Sequence, residues 1–378
     1  MYQQDFDKIR PLNDNEINTV LNRLTKNPFF YQVISNYFPQ SDYKEIINNL
    51  NNTHSVFDFQ RNFMYKIIEK ILASTSNEVS ISGIENLSAA IPYLFISNHR
   101  DIVLDSAILQ KNLFDNNFPT TEIAFGNNLM DVPLISELGS ANKMFIVKRG
   151  GNIREILKNS TVLSSYIRYV ISEKKTSVWI AQRNGRTKDG NDKTEIAVLK
   201  MLNLSGKKSA KKNILELNIT PVSISYEFEP CDSEKVKEIY CSKNEKYEKK
   251  TGEDTSSIIK GIKQYKGKIH LAFCNTLSEE IINTFSKSSN AEFFKELAEH
   301  IDYQIVTNFK LWTNNYIAYD LLENTEKYKD KYSEKEKINF LKYKNEGLSR
   351  INGNKDELSR LFLKLYANPL LYNPVSSQ

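Results

Sequence analysis

Between residues 79 and 273 short apolar runs recur, separated by stretches whose apolar residues fall at helical spacing. The runs are Val79–Ile84, Tyr93–Ser97, Glu122–Phe125, Met144–Lys148, Ser177–Ala181, Ile219–Tyr226 and Lys268–Phe273. They are short and rich in β-branched and aromatic residues, as buried strands are. Between them Leu104–Lys111, Leu129–Leu138, Ile153–Ser172 and Thr194–Leu204 read as helices. This alternation predicts an α/β fold with a mixed, largely parallel sheet flanked by helices. Residues 1–77 read as a helical region, with Ile17, Val20, Leu21 and Leu24 on one stripe and Phe59, Phe63, Ile67, Ile68 and Ile71 on another. Residues 277–378 form a second helical region. In it Ile305, Phe309, Trp312 and Ile317 are expected in the core, and residues 324–346 form a Lys/Glu-rich amphipathic stretch. The α/β part therefore spans residues 78–276.

Composition narrows the class without fixing it. The chain has 378 residues, 40% apolar and 26% charged, with a formal net charge of +5. That mildly basic balance suits anionic partners such as phospholipid headgroups, coenzyme phosphates or an acyl-carrier protein. Cys231, Cys241 and Cys274 show no C-x-x-C spacing, which favours a reduced compartment. No apolar run approaches the length of a membrane span, and the polar start Met1–Asp7 does not read as a secretory signal. A cytoplasmic protein is expected, with any contact to the inner face of the cell membrane peripheral. Residues 233–268 carry ten Lys and six acidic residues and read as a solvated helical excursion. Lys207, Lys208, Lys211 and Lys212 are not interleaved with aromatics, so no nucleic-acid partner is expected.

Chemistry concentrates where predicted strands end. Asn98-His99-Arg100-Asp101-Ile102-Val103-Leu104-Asp105 follows the run Tyr93–Ser97 directly, and His99 is one of four His in the chain. An imidazole with a carboxylate partner can take a proton from a hydroxyl near neutral pH. Arg149 follows the run Met144–Lys148, and Arg183 follows Ser177–Ala181. In α/β sheets ligands gather at the carboxyl ends of strands, so His99, Arg149 and Arg183 are expected to converge. Arg183-Asn184-Gly185-Arg186 opens a basic loop in which two Arg forks suit a phosphate monoester. Gly185 and Gly190 would let backbone amides approach a ligand. Ile219–Tyr226 is a strand that Pro221 opens. No cluster has metal-ligand spacing, and no metal or cofactor is expected.

In this order the four stretches resemble the glycerolipid acyltransferase superfamily, which includes glycerol-3-phosphate and 1-acylglycerol-3-phosphate acyltransferases. The resemblance covers roughly residues 80–275. His99 and Asp105 match its His–Asp block, Gly139 with Phe145, Ile146 and Arg149 its second block, Asn184-Gly185-Arg186 its Glu-Gly-Arg block, and Pro221-Val222 its fourth. It implies transfer of an acyl group from acyl-CoA or acyl-carrier protein, as co-substrate, to a hydroxyl of a glycerophospholipid-type acceptor. His99 would act as base with an Asp partner, and Asn98, Arg149, Arg183, Asn184, Gly185 and Arg186 would contact substrate. Two departures stand out. The His–Asp separation is one residue longer than the family's, and on an ideal helix a six-residue step turns about 600°, so the pair would not share a face. Either the turn after His99 is irregular or Asp101 takes the role; the flanking Leu104-Asp105-Ser106-Ala107-Ile108-Leu109 resembles the family's Asp context more closely, which favours Asp105. Asn184 stands where the family carries Glu, which leaves open an acceptor without phosphate or an inactive lipid-binding homologue.

Overall fold

A computed structural model of the chain describes residues 3–129, 133–243, 252–285 and 289–372. Seven strands form one sheet: β1 (Ser76–Ser82), β2 (Leu94–Ser97), β3 (Glu122–Gly126), β4 (Met144–Val147), β5 (Val178–Ala181), β6 (Ile219–Tyr226) and β7 (Gly267–Phe273). Their order is β1-β7-β6-β2-β5-β3-β4. Every neighbouring pair is parallel except β6 with β7. The α/β expectation holds, and each predicted run becomes a strand. The register sets Ser97 of β2 beside Ala181 of β5 and Val222 of β6, and Gly126 of β3 beside Val147 of β4. The carboxyl ends of β2, β5, β3 and β4 therefore share one edge.

The pleat sorts side chains to two faces. Phe95, Trp179, Val222 and Ile224 face the helices Asp14–Leu24 and Tyr65–Thr75, together with Leu104–Asp115. Leu94, Ile96, Val178, Ile180 and Ile219 face Ile153–Ser172, Ile196–Asn203 and Asn290–Thr307. Each fully buried side chain of this size contributes about 1.5–3 kcal/mol. Pro221 lies inside a central strand, third in β6 rather than first. Its carbonyl accepts from Cys274, beyond the β6–β7 pairing that begins at Val222. Having no N–H, it cannot return the reciprocal bond to the Cys274 carbonyl, and the full β6–β7 ladder starts one residue later. The helix expected over Leu129–Leu138 is observed as Pro133–Ala141, with a tight turn at Asn127–Leu129; Met130, Asp131 and Val132 lie outside the described residues. Proline favours the first helical position, which sets this start.

The C-terminal helices reach the sheet's carboxyl edge. Gly190 has φ +79°, and a Cβ there would lie 2.1 Å from the Leu365 carbonyl oxygen. Its role is thus to admit the helix Lys355–Leu371, not a ligand. Asn368 donates to the Asp189 carbonyl (2.7 Å), and the Thr194 N–H donates to Asp302 (2.7 Å). The Lys-rich stretch 233–268 is likewise more than a solvated excursion: Lys235 and Lys266 are fully buried, and Gly261 packs against Asp101. Residues 244–251 of that stretch lie outside the described residues. Of the apolar stripe expected in the C-terminal region, Ile305, Phe309, Trp312 and Ile317 are all buried.

Burial pushes the Asp302 carboxyl up to about 6 despite the Thr194 donation. Its folded value lies above the unfolded one, so its stabilising contribution is full below the ordinary value of 3.8 and is lost as pH rises through about 6. Asp302→Asn keeps an acceptor for Thr194 and removes the charge. It is expected to stabilise the fold by about 1–2 kcal/mol near pH 8, after allowance for partial exposure, and by little near pH 4. Thermal unfolding at both pH values checks this; an equal shift at both would contradict it.

Candidate active site

β2 ends at Ser97 in the middle of the sheet, and the chain then leaves the ladder. Asn98 carries the pairing one step further with its side chain. Its Oδ1 accepts from the Ile224 N–H (2.8 Å), while Nδ2 donates to the Ile224 carbonyl (2.9 Å) and to Asp192 (3.0 Å). Every amide hydrogen is used and the residue is fully buried. Asn98 therefore anchors the turn and does not line the cleft, which corrects its expected place among substrate contacts.

Residues 99–103 form an irregular turn, and the following helix begins at Leu104. The helical-face objection to His99 and Asp105 therefore does not apply, because the intervening chain is not helical. Asp105 sits in the helix's first turn and points back. Its Oδ2 lies 2.9 Å from His99 Nδ1 and accepts from the backbone N–H of Arg100 (2.7 Å) and Asp101 (2.9 Å). Its Oδ1 accepts from the Tyr226 hydroxyl at 2.8 Å. Asp101 instead caps the helix start, its Oδ1 accepting from the N–H groups of Val103 (2.9 Å) and Leu104 (2.8 Å). It makes no bond to His99, so the alternative partner is set aside. An ionised Asp105 can only accept, so it selects the neutral His99 tautomer with hydrogen on Nδ1. Nε2 is then the basic nitrogen of a ring that lines the cleft.

A buried charge cluster holds this turn from behind. Arg100 is fully buried, pairs with Asp192 and Glu229, donates to the Gly190 carbonyl (3.3 Å) and lies 4.9 Å from the centre of the Phe309 ring. Burial opposes its charge, and Asp192 and Glu229 outweigh that, holding the guanidinium above its ordinary pKa. Lys235 donates to the Arg100 carbonyl (2.7 Å) and to Glu229 (2.6 Å). The Thr187 N–H donates to the His99 carbonyl (2.8 Å), tying the turn to the basic loop after β5.

The cleft above has a volume of about 260 Å³. It brings together His99, Arg149 and Arg183, expected to converge because each follows a strand end, with Asn184, Gly185 and Arg186 of the loop after β5. Its inner wall is apolar: Phe125, Val147, Leu163, Ile167, Val198 and Met201. Arg149 packs on Gly126, where a Cβ would come within 3.0 Å of its Cζ. Arg183 Nε and Arg186 Nη1 are buried without an acceptor among the described residues. Such donors are costly to leave unpaired, and an anion in the cleft would satisfy them. Gly185, at φ +75° with open space around it, keeps the approach clear, and Asn184 is exposed at the same rim.

Sequence reasoning does not single out Tyr226, Asp192, Arg100 or Asp254. Asp254 lines the cleft and accepts from Asn128 (2.8 Å). Tyr226 ends a strand whose first half carries the recognisable Pro, but only the sheet order puts its hydroxyl on Asp105. Among the described residues no three His, Cys, Asp or Glu are grouped to hold a metal ion.

A carboxylate-tied imidazole, unpaired cations and an apolar wall in one cleft suit activation of a hydroxyl on a molecule with one anionic and one greasy end. The fold is of the α/β class, with the cleft at the carboxyl ends of its parallel strands. Residues 78–227 match the family model described as Acyltransferase. Among solved structures the chain is similar to PlsC of Thermotoga maritima, a 1-acyl-sn-glycerophosphate (LPA) acyltransferase. The two share a TM-score of 0.43 and 11% sequence identity, over 76% of this chain and 94% of that chain. Among curated proteins no sequence relative is found.

Two substitutions test the geometry. Asp105→Asn cannot accept from Nδ1–H and both backbone donors at once, and is expected to lower kcat by about 10³–10⁴-fold with the fold intact by circular dichroism. Tyr226→Phe leaves Asp105 Oδ1 without its buried donor. It is expected to lower kcat by about tenfold and leave KM unchanged. A Tyr226→Phe variant with wild-type kcat would remove the residue from the site.

Proposed function

We propose that the protein moves a fatty acyl group from the thioester of acyl-CoA or acyl-carrier protein to a hydroxyl of a glycerol-3-phosphate-type or lysophosphatidate acceptor. The observation that carries the reading is the His99–Asp105 pair, 2.9 Å apart, opening on a cleft rimmed by Arg149, Arg183 and Arg186. His99 Nε2 takes the hydroxyl proton as the acceptor oxygen attacks the thioester carbonyl. Asp105 stabilises the imidazolium that forms. The C–S bond then breaks, and the departing sulfur takes the proton from Nε2. Atoms balance without an acyl-enzyme. The arginines hold the acceptor's phosphate, and the apolar wall takes the acyl chain. The reaction calls for no cofactor beyond the acyl donor.

Asn184 supplies no charge where the family has Glu, and Asp254 brings a carboxylate to the same cleft. That pair of features keeps a second acceptor class in view, a lipid hydroxyl without phosphate. No helix among the described residues is long and apolar enough to cross a membrane. The place of work in this reading is the inner face of the cell membrane, reached peripherally from the cytoplasm.

Thiol release from palmitoyl-CoA over a panel of acceptors tests the proposal. Wild-type protein is expected to release thiol only with acceptor present, and His99→Ala to be inert. Arg183→Ala is expected to raise KM about ten- to a hundredfold for phosphate-bearing acceptors and to leave phosphate-free ones unaffected. Full thiol release by His99→Ala would end the catalytic reading. Turnover confined to phosphate-free acceptors would replace the phosphate assignment with the second class.

A further inference from the structure

The helix Ile153–Ser172 begins away from the body of the protein: residues 151–158 are all exposed. Within this projecting end Ile153, Ile156 and Leu157 are 85%, 48% and 56% exposed. Their spacing of three and four residues puts them on one helix face. Single exposed apolar residues are ordinary, but three contiguous aliphatics on a projecting turn are not. Further along the same face come Leu163 and Ile167, and these line the cleft beside His99. An apolar track thus runs from the exposed tip to the candidate reaction centre.

The charges around the tip are mainly positive, with Glu155 and Asp5 as the neighbouring acids. Arg154 and Lys158 flank the apolar face, and Lys148 and Arg149 end the segment that leads into it. Arg154, Lys148 and Lys158 form no contact salt bridge with described residues, and Asp5 attracts Lys158 and Lys148 at longer range. The one acid of the first two turns, Glu155, is drawn into the helix cap: it accepts from the Asn152 N–H (3.0 Å), while its own N–H donates to Asn152 (3.1 Å). A shallow groove of about 300 Å³ alongside adds Lys8, which pairs with Asp5.

We infer that these first two turns dock into the surface of an anionic lipid bilayer, so that the cleft opens on the lipid it draws from. Aliphatic side chains on a convex tip need no matching pocket, only the hydrocarbon boundary, while the cations sit at the phosphate level. Three side chains cover far less than the roughly 800 Å² per partner that a stable protein interface buries, which disfavours a second copy of the chain. The purpose of the surface rests on the acyl-transfer reading; its test does not.

Sedimentation of the full chain with phosphatidylcholine vesicles, with and without phosphatidylglycerol, reads the docking directly. Wild type is expected to bind the mixed vesicles and to be released by salt. The triple variant Ile153→Ser, Ile156→Ser, Leu157→Ser is expected to partition at least about tenfold less, and Arg154→Gln with Lys158→Gln to lose the preference for anionic lipid. These exposed changes should leave thermal unfolding and turnover of a water-soluble short-chain acceptor unchanged, and lower turnover of a vesicle-borne one. His99→Ala should bind vesicles as wild type does. A triple variant that sediments like wild type overturns the inference, as does a wild type that ignores both vesicles and instead captures an acidic acyl-carrier protein or dimerises through this face. Vesicle binding through the face by a protein with no thiol release would instead sink the acyl-transfer reading and leave the docking standing.

Discussion

The structure turns on how one carboxylate is held. Asp105 accepts from two backbone amides, a tyrosine hydroxyl and an imidazole, and is almost wholly removed from water. Those bonds define the irregular turn between β2 and the next helix. They also fix the ring of His99, because the same Oδ2 that gathers the backbone amides meets Nδ1. The position at the helix N-terminus favours the carboxylate's charge as well. Local backbone geometry and candidate chemistry are thus set by one group.

Such a turn would be soft without support, and the support is electrostatic. Arg100, Asp192, Glu229 and Lys235 form a buried set of two cations and two anions directly behind it. A set of this kind is not itself a large source of stability, but losing one member leaves a charge uncompensated, at a cost of about 3–5 kcal/mol. Its members come from the β2 turn, the loop after β5 and the segment after β6, and the C-terminal helices close over it at Gly190 and Phe309. The C-terminal helical region therefore braces the site rather than decorates it.

Much of this is legible in the sequence, and the limits are physical. Strands are readable because buried parallel strands are short apolar runs, and their last residues tell which side chains share an edge. Hence His99, Arg149 and Arg183 converge as expected. The choice between Asp101 and Asp105 is not readable from periodicity, since a non-helical turn removes the period on which that argument rests. Asn98 resembles a ligand contact in sequence because its use depends on Ile224, a residue 126 positions away and a neighbour only through sheet order. Gly190 resembles a loop glycine for the same reason: its partner is the Leu365 carbonyl. Lys235 and Lys266 read as solvated charges because sequence does not show a long side chain reaching inward to carbonyl and carboxylate oxygens. Long-range pairing of polar groups is what pattern reading lacks.

The central claim is that Asp105 keeps the hydrogen of neutral His99 on Nδ1, leaving Nε2 bare toward the cleft. Nitrogen-15 spectra of the histidine side chains, assigned with His99→Gln and recorded above the ring's titration, report this tautomer directly. The account requires a protonated Nδ1 and an unprotonated Nε2 at residue 99, a state that Asp105→Asn abolishes. A ring 99 carrying its hydrogen on Nε2, indifferent to Asp105→Asn, would contradict it.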